Sequence, residues 1–162
     1  MKKEVKIDYL YLDLETCDRC IGTDEVLEEV IKEMTPTFSL AGYNIVYNKI
    51  KIENEAEAAK YYFVSSPTIR VNGFDICNDV IESDCGCCGE IAGAQVDCRT
   101  FEYEGQLFNV PPKAMLAEGI LKKAFCSETK NYTSYKLPNN LQRFFKGKTK
   151  KKTCCCSDDS CC

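Results

Sequence analysis

The sequence contains no histidine among its 162 residues. Any metal site must therefore be built from thiolates, with help from carboxylates, and this ligand set favours soft ions. The same absence excludes the Ser–His and Cys–His pairs on which many hydrolases depend. Long apolar runs are also lacking, since none approaches the ~20 residues that cross a bilayer. We therefore expect no membrane partner.

A secretion signal is lacking as well. The chain begins with lysines, as such signals do, but Asp8, Asp13 and Glu15 interrupt the apolar stretch and no small-residue cleavage site follows. We therefore expect a cytoplasmic protein. In a reducing cytosol, the thirteen cysteines indicate metal binding or redox chemistry more than a structural disulfide framework.

Basic charge is scarce over most of the chain and is concentrated near its end. The net charge is −4, whereas residues 143–152 contain only basic charges. A nucleic-acid-binding protein would need a basic face on its folded part, so we expect no nucleic-acid partner. The length fits one domain with an appendage. We predict a folded domain over 1–145 and a flexible tail rich in lysine and cysteine over 146–162.

Hydrophobic periodicity predicts an α/β fold with a mixed β-sheet flanked by helices. Strands are expected over 5–14 and 43–52, and a short helix over 54–63. A longer helix is expected from Asp24, with Thr23 as its N-cap, up to Pro36. A hairpin then completes the order β-α-β-α-β-β, which is typical of a sheet covered by helices.

The later part of the chain is less regular. Tight turns at Asn72-Gly73 and Glu104-Gly105 predict two hairpins. Between them, residues 77–98 are interpreted as an inserted cysteine-rich loop. A helix should begin at Pro111-Pro112, and its buried stripe is predicted to be Met115, Leu116, Ile120, Leu121, Ala124 and Phe125. One last short helix is expected to dock through Leu137, Leu141, Phe144 and Phe145.

The central motif is Cys17-Asp18-Arg19-Cys20. Two cysteines at this spacing can close a disulfide or supply two ligands of a tetrahedral metal site. A helix N-terminus beside Cys17 would lower the pKa of its thiol and make it the better nucleophile, with Cys20 resolving the mixed disulfide. Gly22 and Thr23, however, predict that the helix begins only after Cys20, which would deny Cys17 that activation.

Together with Ser66-Pro67-Thr68 and the order of elements, this motif resembles the thioredoxin and glutaredoxin superfamily. Within it the chain looks most like an uncharacterised bacterial and archaeal group of thioredoxin-like domains of unknown function. The resemblance covers about residues 4–80 and 112–126. It implies a cis Pro67 facing the C-x-x-C, with Cys17 as the attacking and Cys20 as the resolving cysteine. It also implies a thiol or disulfide substrate, or a redox partner protein.

A second cysteine cluster follows in the predicted loop, with Cys77 nearby. Its candidate metal ligands are Cys85, Cys87, Cys88 and Cys98. Thiolates suit zinc, an iron–sulfur cluster or copper(I), and trivalent arsenic and mercury(II) by the same argument. The adjacent Cys87 and Cys88 can hardly both bind one tetrahedral ion. The alternative interpretation is a redox-sensitive loop with one or two disulfides.

The tail holds a third set of candidate ligands, Cys154, Cys155, Cys156, Cys161 and Cys162. On a flexible arm they could collect soft ions and pass them to the folded domain. The alternative is a dispensable extension.

Two functions remain open from the sequence. One is a thiol–disulfide oxidoreductase that uses Cys17, Cys20 and Pro67. The other is a protein that binds or carries a soft metal or metalloid ion through its cysteine clusters. A third hypothesis joins them, with the C-x-x-C reducing a metalloid and the other thiols capturing the product. Beyond a thiolate-bound soft ion, the sequence predicts no cofactor.

Overall fold

Seven strands and five helices make up the part of the chain that the computed structural model describes, residues 3–130 and 134–154, with side chains described up to residue 151. In chain order these elements are β1 (Lys3–Tyr11), α1 (Asp18–Leu40), β2 (Tyr43–Lys51), α2 (Glu55–Lys60), β3 (Thr68–Val71), β4 (Phe74–Asp75), β5 (Ile81–Asp84), α3 (Gly86–Ala92), β6 (Asp97–Tyr103), β7 (Gln106–Phe108), α4 (Lys113–Ala124) and α5 (Asn139–Cys154). None of these helices is long and apolar enough to cross a membrane.

The strands form two sheets. A four-stranded mixed sheet has the order β2-β1-β3-β4, in which β2 runs parallel to β1 and β3 runs antiparallel to it. A three-stranded antiparallel sheet has the order β5-β6-β7. The backbone N–H of Arg99 on β6 donates a hydrogen bond of 2.7 Å to the carbonyl of Ser66, which ties the second sheet to the loop before β3. The predicted α/β class with a mixed sheet and flanking helices is confirmed.

The central strand β1 is buried on both faces. Side chains alternate along a strand, so Val5, Ile7 and Tyr9 face one side and Leu10 points to the other; Leu12 follows on that second side. We name the first side the aliphatic core; its buried residues are Val5, Ile7, Tyr9, Leu27, Val30, Phe38, Ile69, Val71, Leu116 and Ile120. We name the second side the cysteine core; its buried residues are Leu10, Leu12, Cys17, Cys20, Ile52, Ala58, Phe63, Cys85, Cys88, Ala92, Val96, Cys98, Leu141, Phe144 and Phe145.

Helix α1 differs from its prediction at both ends. It begins at Asp18 with Cys17 as N-cap and continues without a break to Leu40, so the predicted start at Asp24 and end at Pro36 are wrong. Gly22 does not restart the helix. A Cβ atom at this position would lie 2.9 Å from the Val110 side chain, so the glycine permits close packing.

Residues 77–98 contain β5, α3 and the start of β6, where a loop was expected. Strand β5 pairs with β6 over four residues, and Cys85 then caps α3. The segment lacks a long apolar run because its buried side chains are mostly cysteines. Their burial stabilises the segment in the way that small hydrophobic residues would.

Both predicted hairpins are present. Asn72 and Gly73 adopt φ values of 52° and 85°, and Glu104 and Gly105 adopt 51° and 76°. These left-handed conformations are what a two-residue type I′ turn requires.

Helix α4 begins after Pro112, as predicted. Met115, Leu116 and Ile120 are buried, but Leu121 and Phe125 are 45% and 53% exposed, so this part of the predicted stripe is wrong. Phe125 instead stacks on Phe38 at the edge of the aliphatic core.

The last helix docks as predicted but is much longer. Leu141, Phe144 and Phe145 of α5 are buried, and the helix continues to Cys154, through the first part of the predicted flexible tail. It packs on α3 so closely that a Cβ atom added at Gly147 would collide with the carbonyl of Ala92.

Candidate metal centre

Four buried cysteines converge in the cysteine core. The Sγ atoms of Cys17, Cys85, Cys88 and Cys98 all lie within 4.8 Å of one another. The sulfur of Cys17 is 3.9 Å from that of Cys85 and 3.8 Å from that of Cys88, and the sulfurs of Cys88 and Cys98 are 3.3 Å apart. All four are free thiols. We call these residues the four-cysteine group.

The spacing of these sulfurs fits a metal ion better than disulfides. A disulfide brings two sulfurs to about 2.05 Å. A tetrahedral site with zinc–sulfur bonds of about 2.3 Å separates its sulfurs by about 3.8 Å. The sulfur–sulfur separations of 3.3, 3.8 and 3.9 Å lie near the second value. A buried group of four cysteines that could hold a metal ion is therefore present.

Cys17 is positioned by the loop between β1 and α1. The Asp13 carboxylate accepts hydrogen bonds from the Thr16 N–H at 2.7 Å, the Thr16 hydroxyl at 2.7 Å and the Cys17 N–H at 2.9 Å. These bonds close the loop so that the Cys17 carbonyl starts the hydrogen bonding of α1, with Ile21 as donor. The Cys17 side chain is thereby fixed at the helix N-terminus, where the dipole stabilises negative charge.

Cys85 and Cys88 form a second C-x-x-C at the start of α3, in which Cys85 is the N-cap. Cys98 enters from β6, opposite Ser83 on β5, and the Cys85 N–H donates to the Val96 carbonyl at 2.9 Å. The three cysteines are thus held by one β5-α3-β6 unit.

Arg19 joins that unit to α1. Its Nη1 atom donates to the Ser83 hydroxyl at 2.9 Å and to the Cys98 carbonyl at 3.2 Å, and its Nη2 atom donates to the Asp84 carbonyl at 2.6 Å. One side chain therefore fixes the N-terminus of α1, with Cys17, against the strands that carry the other three cysteines. It also brings a positive charge close to the group.

Hydrogen bonds among the thiols place negative charge on Cys17. Its pKa is far below the usual thiol range because the neighbouring thiols of Cys20 above all, and then of Cys85, Cys88 and Cys98, stabilise its thiolate. The pKa of Cys85 falls to about 7; contact with Cys17 raises it, but the Cys88 and Cys98 hydrogen bonds outweigh that effect. The pKa values of Cys20, Cys88 and Cys98 are raised, chiefly by the neighbouring Cys17 and by burial.

Cys20 and Pro67 lie beside the group and outside it. Cys20 is fully buried, and its sulfur is 3.4 Å from the Ser66 hydroxyl. The same hydroxyl oxygen accepts a bond of 3.1 Å from the Leu12 N–H. The Ser66–Pro67 peptide bond is cis, as the thioredoxin resemblance implied. The C-x-x-C and the proline loop therefore meet in space.

The remaining predicted ligands do not join the four-cysteine group in the described residues. The Cys87 sulfur is half-buried and lies 4.0 Å from an Asp18 carboxylate oxygen. Cys154 ends α5, and its side chain is outside the described part. Cys155, Cys156, Cys161 and Cys162 also lie outside the described residues.

The spacing in the sequence pairs Cys17 only with Cys20. The structure brings it to Cys85, 68 residues further along the chain. One signal in the sequence was the C-x-x-C spacing of Cys85 and Cys88, which is a common spacing for two ligands of one ion. Nothing in the spacing connected that motif with Cys17.

Comparison with known proteins gives a family and no function. The sequence model of one family, described as Domain of unknown function (DUF2703), matches residues 5–120. No curated protein and no solved structure matches the chain. The matched segment begins within β1, ends within α4 and contains all four cysteines of the group.

Proposed function

The chain belongs to the DUF2703 family, and we propose that it is a metal-binding protein that holds one soft divalent ion on Cys17, Cys85, Cys88 and Cys98. The observation that carries the proposal is the approach of four buried sulfurs within 4.8 Å. Burying four thiols this closely without a covalent link offers little packing advantage over aliphatic residues. Binding of one metal ion by all four sulfur atoms would account for their close approach.

The donor set supports zinc first among the soft ions. Four thiolates in tetrahedral geometry are a common structural zinc site. Such a site has a net charge of −2, which the N-terminus of α1 and the Arg19 guanidinium offset in part. Copper(I) and trivalent arsenic are also thiophilic but commonly take fewer sulfurs. We therefore expect them to bind with part of the group.

The scaffold that we propose for this site is thioredoxin-like. Three features support it: the strand order β2-β1-β3-β4 with parallel β1 and β2, the C-x-x-C at the start of α1, and the proline loop before β3. On that scaffold, Cys17 occupies the place of an attacking cysteine. The three-stranded sheet and α3 then bring three further sulfurs to it.

The test is metal stoichiometry in a matched pair of variants. Full-length protein purified under anaerobic, reducing conditions is loaded with Zn²⁺, desalted and measured by elemental analysis. We expect one tightly held ion in the wild type and in Cys87→Ser, and its loss in Cys88→Ser. Cobalt(II) absorption provides a second readout of tetrahedral thiolate ligation. Equal metal retention in both variants would refute the site.

A second candidate function is thiol–disulfide exchange through Cys17 and Cys20. The observation that favours it is the contact of Cys20 with Ser66, next to Pro67, on the same side as Cys17. Reduction of a small disulfide by the metal-free protein, abolished in Cys17→Ser, would support it. No such activity in the wild type would exclude it.

A further inference from the structure

Cys20 is placed to control the metal site without being one of its ligands. It is the third residue of α1, and Cys17 is the N-cap of the same helix. Side chains at the N-cap and three residues later face each other across the first turn. Both side chains are buried in the cysteine core, and the Cys20 sulfur lies 3.4 Å from the Ser66 hydroxyl of the proline loop. Cys17 is therefore shared between the four-cysteine group and the C-x-x-C.

We propose that oxidation of Cys17 and Cys20 to a disulfide releases the metal ion, so that the site is under redox control. The inference rests on the proposed metal-binding function. A disulfide sulfur no longer has the charge of a thiolate. Once Cys17 is oxidised, three thiolates remain, on Cys85, Cys88 and Cys98, and a tetrahedral ion loses one of its four ligands.

The oxidant belongs to the class of low-molecular-weight disulfides. The Cys17 thiolate attacks one sulfur of the oxidant, forming a mixed disulfide and expelling one thiolate. Cys20 then gives its proton to that thiolate and attacks the Cys17 sulfur, which expels the second. Two protein thiols are oxidised, one small disulfide is reduced to two thiols, and the divalent ion leaves for a chelator or an acceptor protein.

The position of Cys17 in the chain favours access by a small disulfide. Its own side chain is buried, but Thr16 and Asp18 on either side of it in the chain are exposed, so the backbone at Cys17 lies near the surface. Cys87 offers a natural control. It is more accessible than Cys20 and lies close to Asp18, but it stands outside the C-x-x-C of α1.

The experiment follows metal release and disulfide formation together. Zinc-loaded full-length protein is treated with glutathione disulfide in the presence of a colorimetric zinc chelator, and samples are mapped by mass spectrometry after alkylation. Wild type and Cys87→Ser should release zinc as a Cys17–Cys20 disulfide forms, and dithiothreitol should restore binding. Cys20→Ser should still bind zinc but release it about tenfold more slowly, because the mixed disulfide at Cys17 is then not resolved and is reversed by the expelled thiolate.

Zinc binding is measured before oxidation, which separates the two proposals. A wild type that binds no zinc refutes the metal site and this inference with it. A wild type that binds zinc but releases it at the same rate as Cys20→Ser overturns the redox control alone. If Cys20→Ser does not fold, the wild-type disulfide map decides. A disulfide other than Cys17–Cys20 at the time of release overturns the inference.

Discussion

The two faces of β1 are packed in different ways. The aliphatic core contains valine, leucine, isoleucine and aromatic side chains from α1, α4 and β3. The cysteine core, on the other face, combines such residues with five buried cysteines from α1, α3 and β6. Apolar burial stabilises the first core whether or not a metal ion is bound. We expect the cysteine core to gain most of its stability from an ion that binds its sulfur atoms. The first core should therefore determine the fold, and the second should couple stability to metal.

Metal removal should give the largest effect. Chelation is expected to lower the free energy of unfolding by about 4 kcal/mol. The reference is the protein in the presence of free zinc at a thousandfold excess over Kd. Calorimetry or thermal unfolding with and without chelator measures the shift. In Cys88→Ser the chelator should have no effect. A chelator effect that is unchanged in this variant would mean that the stabilising ion lies elsewhere.

Truncation in the aliphatic core should act independently of metal. Leu116 is fully buried on α4, so Leu116→Ala is expected to cost about 3 kcal/mol of unfolding free energy. Denaturant unfolding should give the same loss in the metal-free and metal-loaded protein. The matched control is Leu121→Ala on the same helix, where 45% of the residue is exposed, and its cost should be much smaller. A larger loss for Leu116→Ala in the metal-loaded form would show that the two cores are coupled.

Gly147→Ala tests the close contact of α5 with α3. The added methyl group would collide with the Ala92 carbonyl, and we expect a loss of about 2 kcal/mol from this overpacking. Alanine normally stabilises a helix relative to glycine, so the sign of the change is informative. The control is Arg143→Ala at an exposed position of α5. Stabilisation by Gly147→Ala would show that α5 does not pack on α3 in this way.

Arg19→Lys should give the smallest effect. Lysine keeps the positive charge but cannot reach the Ser83 hydroxyl and the Cys98 and Asp84 carbonyls together, as the guanidinium does. We expect zinc affinity to fall about tenfold, which is about 1.4 kcal/mol, while the stoichiometry stays the same. Competition with a chelator measures it. Unchanged affinity would mean that charge alone, and not the bridging geometry, supports the site.

The elements that sequence reasoning predicted best are those with strong local signals. Residues adjacent in the sequence determine three such features: the alternation along β1, the turns at Asn72-Gly73 and Glu104-Gly105, and the start of α4 after Pro112. The errors have tertiary causes. Gly22 lies inside α1 because the Val110 side chain packs against it. Helix α3 was missed because its buried residues are mostly cysteines, which do not give the usual apolar pattern.

The site could be predicted only in parts for the same reason. The sequence predicts Cys85, Cys88 and Cys98 as candidate ligands, together with Cys87, because they are close in sequence. Cys17 was assigned to redox chemistry because its partner Cys20 stands three residues away. The approach of Cys17 to the others depends on the β5-α3-β6 unit and on Arg19, which are tertiary features that spacing in the sequence does not record.

The most direct test of the account is X-ray absorption spectroscopy at the zinc edge of the loaded full-length protein. We predict four sulfur ligands at about 2.3 Å in the wild type and in Cys87→Ser, and no such zinc–sulfur shell in Cys88→Ser, which should not retain the ion. Four sulfurs in all three proteins, or a shell of oxygen ligands in the wild type, would contradict a metal centre built from Cys17, Cys85, Cys88 and Cys98.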